Sequence, residues 1–200
     1  LEILAGTVVK VAQNTSITVD GEFIAIGTEQ SPVHITDLRD DSVGGDTNRD
    51  AEATAPDRGW WNSVNIRESG KAKLDWITIG YSQSGIVRSG SGSFTLTNST
   101  IHNVTGDALK LLAGYLSLEL SNNSFISNGT GVRLAVNVSF DDRLARFEEN
   151  GTDVFVEGGM ITSDVVFGLS SEYSFYVSGE LTISKNAILE IKSGTVLKFA

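Results

Sequence analysis

The stretch best suited to chemistry is Asp46-Thr47-Asn48-Arg49-Asp50. Oxygen-bearing side chains stand at its first, third and fifth positions. A tight loop turns such alternate side chains inward together, and a hard cation gathers them, as in an EF-hand-type calcium loop. Counting on from Asp46, the ninth position is Thr54 and the twelfth is Asp57, so a late carboxylate is present. The candidate ligand set is therefore Asp46, Asn48, Asp50 and Asp57, and the candidate cofactor is calcium. Ala51 holds the sixth position, where the sharp turn wants glycine. The alternative is a solvated acidic loop, because residues 38–58 also carry Asp40, Asp41 and Glu52.

A second candidate is aromatic. Trp60 and Trp61, with Trp76 and Tyr81 further on, have the flat faces that stack on a sugar ring, so a glycan is a candidate ligand. The alternative is that these rings fill or cover an apolar interior.

Catalytic carboxylates must stand a set distance apart across a substrate. Asp40-Asp41 and Asp141-Asp142 are neighbours, and neighbours on a strand point to opposite faces. Asp107, Glu119, Asp142 and Glu157 share a face only if strand registers bring them together. His34 and His102 are the two histidines, and no cysteine accompanies them, so neither has metal-ligand spacing. No catalytic residue is expected. The chain reads as a non-enzyme, with a polysaccharide lyase or hydrolase as the alternative.

What must position these groups is a chain of 200 residues, long enough for a substantial core. The formal charge of −10 argues against nucleic acid and anionic membrane as partners. No apolar run approaches the roughly 18–20 residues of a membrane helix. The absence of cysteine excludes a disulfide framework and thiolate zinc sites.

Helical periodicity is nearly absent. Short alternating runs, among them Thr7–Val11, Glu22–Ile26, Lys73–Ile79 and Tyr115–Leu120, are broken by Gly, Asn, Asp and Ser. Asp20-Gly21, Asn128-Gly129 and Asn150-Gly151 are turn signals that tolerate positive φ.

Two periods run through the chain. Phe125, Asn128, Gly129, Thr130 and Val132 recur as Phe147, Asn150, Gly151, Thr152 and Val154, an offset of 147 − 125 = 22. Leu96, Asn98 and Ile101 recur as Leu120, Asn122 and Phe125, an offset of 24; Ile79 and Val87 align with Ile101 and Leu109, an offset of 22. An all-strand period of this length is one coil of a β-solenoid, in which like residues stack on like. Asn98, Asn122, Asn128 and Asn150 are then expected to form inward ladders at coil corners. A β-sandwich, the runner-up, gives no reason for the echo.

The long period joins the ends. LEILAGTVVKVA at 1–12 returns as LEIKSGTVLKFA at 189–200, with eight of twelve positions identical and an offset of 188. The sequence thus reads as one tandem period, 1–188, plus the opening of the next, 189–200. The whole, 1–200, forms a single module with a loop insertion at 38–58.

Gly6-Thr7-Val8, Lys10, Val19, Gly21, Gly27-Thr28, Pro32 and Ile35-Thr36 carry a resemblance. This pattern, continued by DDSVGGDTNRD and the Trp-bearing GWWNSVNI, is similar to right-handed parallel β-helix modules of large bacterial and archaeal surface proteins, the pectin-lyase-like superfold. The resemblance covers residues 1–80 and 176–200 well and the middle only as generic coils. It implies an all-β, right-handed parallel β-helix with coils of about 22–24 residues and one long acidic loop. It implies an extracellular or cell-surface stalk, fibre or adhesin segment. The partners expected are neighbouring β-helix modules end to end, and a glycan.

Overall fold

The computed structural model describes residues 1–112 and 118–200. It contains strands and turns and, among the described residues, no helix. The chain winds through β1 (Glu2–Ile3), β2 (Val8–Val11) and β3 (Ile17–Val19), then β4 (Glu22–Ile26), β5 (Val33–Asp37) and β6 (Val64–Ile66). It continues through β7 (Lys71–Asp75), β8 (Ile77–Gly80), β9 (Ile86–Arg88), β10 (Phe94–Thr97), β11 (Thr100–His102) and β12 (Asp107–Leu111). Next come β13 (Leu118–Ser121), β14 (Ser124–Ile126), β15 (Thr130–Leu134), β16 (Phe140–Asp141), β17 (Arg146–Glu148) and β18 (Thr152–Ile161). The last are β19 (Val165–Gly168), β20 (Phe175–Ile183), β21 (Leu189–Ile191) and β22 (Leu197–Phe199).

Successive strands do not pair with one another. Each pairs with the strand one coil away. This gives a first wall β1-β4-β7-β10-β13, a second wall β2-β5-β8-β11-β14-β17 and a third wall β3-β6-β9-β12-β15-β18-β20-β22. A fourth sheet, β16-β19-β21, follows where the first wall stops. Every named strand pair is parallel, as a solenoid requires. The third wall holds eight strands, so the solenoid makes about eight turns.

The cause is column stacking. Ile17, Val64, Ile86, Leu109, Val132, Val154, Phe175 and Leu197 lie one above another on the inner face of the third wall. Ile35, Ile79, Ile101, Phe125 and Phe147 do so on the second. A single coil cannot hide such residues, whereas stacked coils about 4.8 Å apart bury them against each other. The Phe125 and Phe147 rings stack with centroids 5.2 Å apart. One expected alignment slips by a residue. Leu109 pairs with Ile86, and Val87 pairs with Lys110 on the outer face. A one-residue shift exchanges inside for outside, and burying Ile86 decides the register.

The corners carry a second regularity. Trp76, Asn98 and Asn122 have φ of 50°, 51° and 57°; Tyr81, Asn103, Ser127 and Glu149 have 65°, 53°, 56° and 53°. These are two columns of left-handed residues, one at each end of the second wall. The Asn-Gly and Asp-Gly pairs expected to use positive φ do not. Ser127 and Glu149, the residues just before Asn128 and Asn150, take it instead. That rotation sends the Asn side chains inward, where they bond backbone.

The expected Asn ladders divide by depth. Asn128 donates to Asn150 Oδ1 at 3.0 Å and to Ile101 O at 3.0 Å, and Asn150 donates to Phe125 O at 2.8 Å. Asn122 donates to Asn98 Oδ1 at 2.8 Å, but on the exposed side. The inward residue at that corner is Asn123, whose amide donates to Leu96 O at 2.9 Å and whose oxygen accepts from Ser99 N. The expected Tyr115–Leu120 strand lies partly outside the described residues.

Residues 38–63 contribute no strand. Their one ladder contact is Trp61 with Ser82. The segment lies over the second wall, with Gly44 against Val8 and Lys10 of β2. Buried Asp37 fastens its base. Asp37 accepts from the Arg39 guanidinium at 2.7 Å and from the Asp57 backbone N–H at 3.1 Å.

Candidate functional site

The segment over the second wall brings three carboxylates together. One oxygen each from Asp41, Asp46 and Asp50 lies within 4.8 Å of the others. Asp46 caps the turn, accepting from the N–H groups of Arg49 at 2.6 Å, Asp50 at 3.3 Å and Ala51 at 3.0 Å. Ala51 takes φ 58° and Arg49 φ 60°, so the turn adopts the left-handed geometry glycine would give, without glycine. Asn48 donates its amide to Asp50 Oδ2 at 2.8 Å and to Thr54 Oγ1 at 3.0 Å. Thr54 Oγ1 in turn donates to Asp50 Oδ2.

Three oxygens here are sealed from solvent and accept no hydrogen bond: Asp41 Oδ1, Asn48 Oδ1 and Asp50 Oδ1. The nearest cation is Lys10, whose Nζ is 3.7 Å from Asp41 Oδ1 and donates to Gly45 O. Leaving buried acceptors unmet is costly, and such an oxygen set suits a hard divalent cation. Asp57, expected as the late ligand, is not in this cluster. It is exposed, and its backbone is held by Asp37 on the other side of the segment's base. Asp41, which precedes the motif, stands in the cluster instead.

The aromatic candidates part company. Trp61 is wholly buried and donates its Nε1–H to Gly80 O at 2.9 Å. It cannot present a face to a sugar, because the Trp61–Ser82 bridge turns it into the interior. Trp60 is half-buried, with the Arg39 guanidinium carbon 3.5 Å from the ring centroid. A partly exposed aromatic surface lies on the third wall. There Arg133 stacks 4.0 Å over Phe155, and Phe155 lies 5.6 Å from Tyr176. Sequence reasoning missed this column because Phe155 and Tyr176 alternate with core residues and look like strand filler.

The scattered carboxylates do not converge on one face. Asp107, on the third wall, accepts from Arg133 at 2.9 Å. Asp142 is buried, and its carboxylate accepts from the backbone N–H groups of Asn122 and Leu144 and from the Asn123 amide. Burial pushes its acid up from the ordinary range, against those bonds. Glu157 lies at the bulge of β18 and Glu119 on β13 of the first wall. A groove of about 400 Å³ does open between β13 and the fourth sheet, lined by Glu119, Ser139, Asp141 and Lys192 among others. Two of its charges are paired: Asp141 with Arg143 at 3.5 Å, and Lys192 with Glu190 at 2.8 Å.

His34 and His102 face outward from the second wall. The His102 ring meets Tyr81 edge-on, with centroids 5.3 Å apart, and its Nδ1 is 3.1 Å from the Asn103 amide. Burial lowers the pKa of both imidazoles, with Asp40 opposing. Burial likewise pushes the Tyr81 hydroxyl up. A cleft of about 290 Å³ beside Tyr81 is walled by Arg39, Asp40, Asp41, Glu52 and Pro56.

The model of a family described as a right-handed beta helix region matches residues 57–198, more than two thirds of the chain. No curated protein and no solved structure matches.

Proposed function

This chain belongs to the right-handed β-helix family, and from that premise we propose that it is a non-catalytic structural or adhesive module of a large extracellular or cell-surface protein. One observation carries the reading. The last coil leaves Ile183, Ile188, Ile191, Val196 and Phe199 exposed by 50%, 63%, 48%, 37% and 61%. These residues continue the inner columns or flank them, so the last described coil presents an apolar face that a further coil, of this chain or of a neighbour, would cover. The near-repeat of residues 1–12 at 189–200 supports a neighbouring unit of the same kind as its cover. Light scattering across a concentration series tests this. Mass should rise with concentration and fall back in Phe199→Asp. A strict monomer at high concentration overturns it.

The acidic segment adds a calcium reading, favoured by the three buried oxygens of Asp41, Asn48 and Asp50 that accept no hydrogen bond. The ion would sit among Asp41, Asp46, Asn48 and Asp50 and fasten the segment to the second wall.

A second functional reading, a polysaccharide-acting domain, is favoured by the groove with Glu119, Asp141 and Lys192. Turnover of an acidic or neutral polysaccharide that disappears in Glu119→Gln would replace the structural reading.

A further inference from the structure

We propose that Lys10 is the acidic segment's own counter-charge and trades places with calcium, so that this one lysine sets the affinity of the site. The inference rests on the calcium reading above and adds the residue that regulates it.

Lys10 belongs to the outer face of β2, between Val9 and Val11, which pack on the core, and opposite Thr36 of β5. Its side chain is nevertheless only 5% exposed. Lysine is almost never this buried unless its charge is met. The cover is the acidic segment. Gly44, at φ 68°, lies so close that a Cβ there would stand 3.2 Å from Val8 Cγ1 and 3.5 Å from Lys10 Cε. The stem is thus held under the segment, and the ammonium reaches into it. Nζ donates to Gly45 O and lies 3.7 Å from Asp41 Oδ1. An ammonium on a four-carbon stem is a compact, movable point charge, unlike the rigid fork of arginine.

The oxygen that Lys10 faces is one the ion would use. Asp41 Oδ1 is sealed from solvent and accepts no hydrogen bond. Asp41 is also one of the three carboxylates that lie within 4.8 Å of one another. Calcium bonds such oxygens at about 2.3–2.6 Å, so an ion on Asp41 Oδ1 would stand no more than about 6 Å from Nζ. Two positive centres that close, in a site partly shielded from water, repel each other. The ion therefore drives the ammonium out, and the ammonium lowers the affinity for the ion.

This gives the segment two latched states. Without the ion, Lys10 holds it through Gly45 and Asp41. With the ion, Asp41, Asp46, Asn48 and Asp50 hold it, and the ammonium goes to solvent. Ligand charge count tunes sites of this kind. Three carboxylates opposed by one ammonium belong at the weak end, where binding takes about 10⁻⁴–10⁻³ M calcium.

The test is calorimetric titration with calcium chloride of the native chain, Lys10→Met and Lys10→Arg. Lys10→Met keeps most of the stem and removes the charge, and it should bind at least about tenfold tighter. Lys10→Arg keeps the charge and should stay near the native value. A lysine that merely props the segment would give the opposite sign, weaker binding in Lys10→Met. The native chain supplies a second readout that needs no variant. Acetylation of Lys10, followed by mass spectrometry against the exposed Lys198, should rise severalfold when calcium saturates the site. Equal or weaker binding in Lys10→Met, or Lys10 labelling that stays flat at saturation, overturns the exchange and leaves the calcium reading standing. No heat in any of the three chains overturns both.

Discussion

The side-chain amide of Asn128 donates to Oδ1 of Asn150, one coil above, at 3.0 Å. The same Asn128 reaches Ile101 O on the coil below, and its own oxygen accepts from Val104 N–H. One side chain thus ties three successive turns together and satisfies two backbone groups of the coil below, at a corner where the chain leaves the second wall.

Asn128→Ala should therefore cost far more than one bond. It strands the Val104 N–H in a buried corner, at about 1–3 kcal/mol for an unmet group, and also removes the amide's bonds to Ile101 O and Asn150. We expect a loss of about 3 kcal/mol in denaturant unfolding. Asn122→Gly keeps the left-handed backbone and removes only the exposed bond to Asn98, so it should cost under about 1 kcal/mol. Equal losses would show that ladder position, not burial, sets the energy.

The two tryptophans make a sharper contrast. Trp61 is fully buried, and its indole N–H is spent on Gly80 O. Trp61→Ala should cost about 3–5 kcal/mol. Trp60 lies under Arg39 at the surface of the segment, and Trp60→Ala should cost about 1 kcal/mol. Urea midpoints of the two variants check this, and a larger loss at Trp60 refutes it.

The columns were legible because side-chain type repeats at the coil period: Phe125 over Phe147 needs only the chain itself. Val87 was misaligned because Ile86 beside it is equally apolar, and a short strand fixes no phase. Asn123 was hidden by Asn122, its neighbour, which stands at the 24-residue echo of Asn98. Asp41 escaped notice for a different reason. It joins Asp46 and Asp50 only after the segment folds back over β2, a tertiary event that no local spacing encodes.

Calcium binding to that segment is measurable by calorimetric titration. Binding should be lost in Asp50→Asn and weakened in Asp41→Asn, while Asp57→Asn leaves it unchanged, since Asp57 stands apart. Bound ion stabilises the fold by mass action, about 2.7 kcal/mol at a hundredfold excess over Kd. No heat and no thermal shift with millimolar calcium would dismiss the ion. Loss in Asp57→Asn equal to that in Asp50→Asn would restore the twelve-residue loop.

Acid should destabilise this protein from near neutrality. His34 and His102 have folded pKa values lowered by burial from 6.5. The unfolded chain therefore takes up protons first as pH falls. Stability is full above the unfolded value, declines as pH drops through about 6.5, and levels off below the folded values. Asp40 opposes this by favouring the charged imidazoles, and Tyr81 beside His102 stays neutral throughout. Between pH 8 and 5.5 the urea midpoint should fall in the native chain and stay nearly flat in the double variant His34→Gln, His102→Gln. The single His102→Gln variant should remove the larger part, because His102 is the more deeply packed, with Gly80 under its ring and Tyr81 against its edge. A native chain whose midpoint rises on acidification would mean that the Asp40 charge outweighs burial.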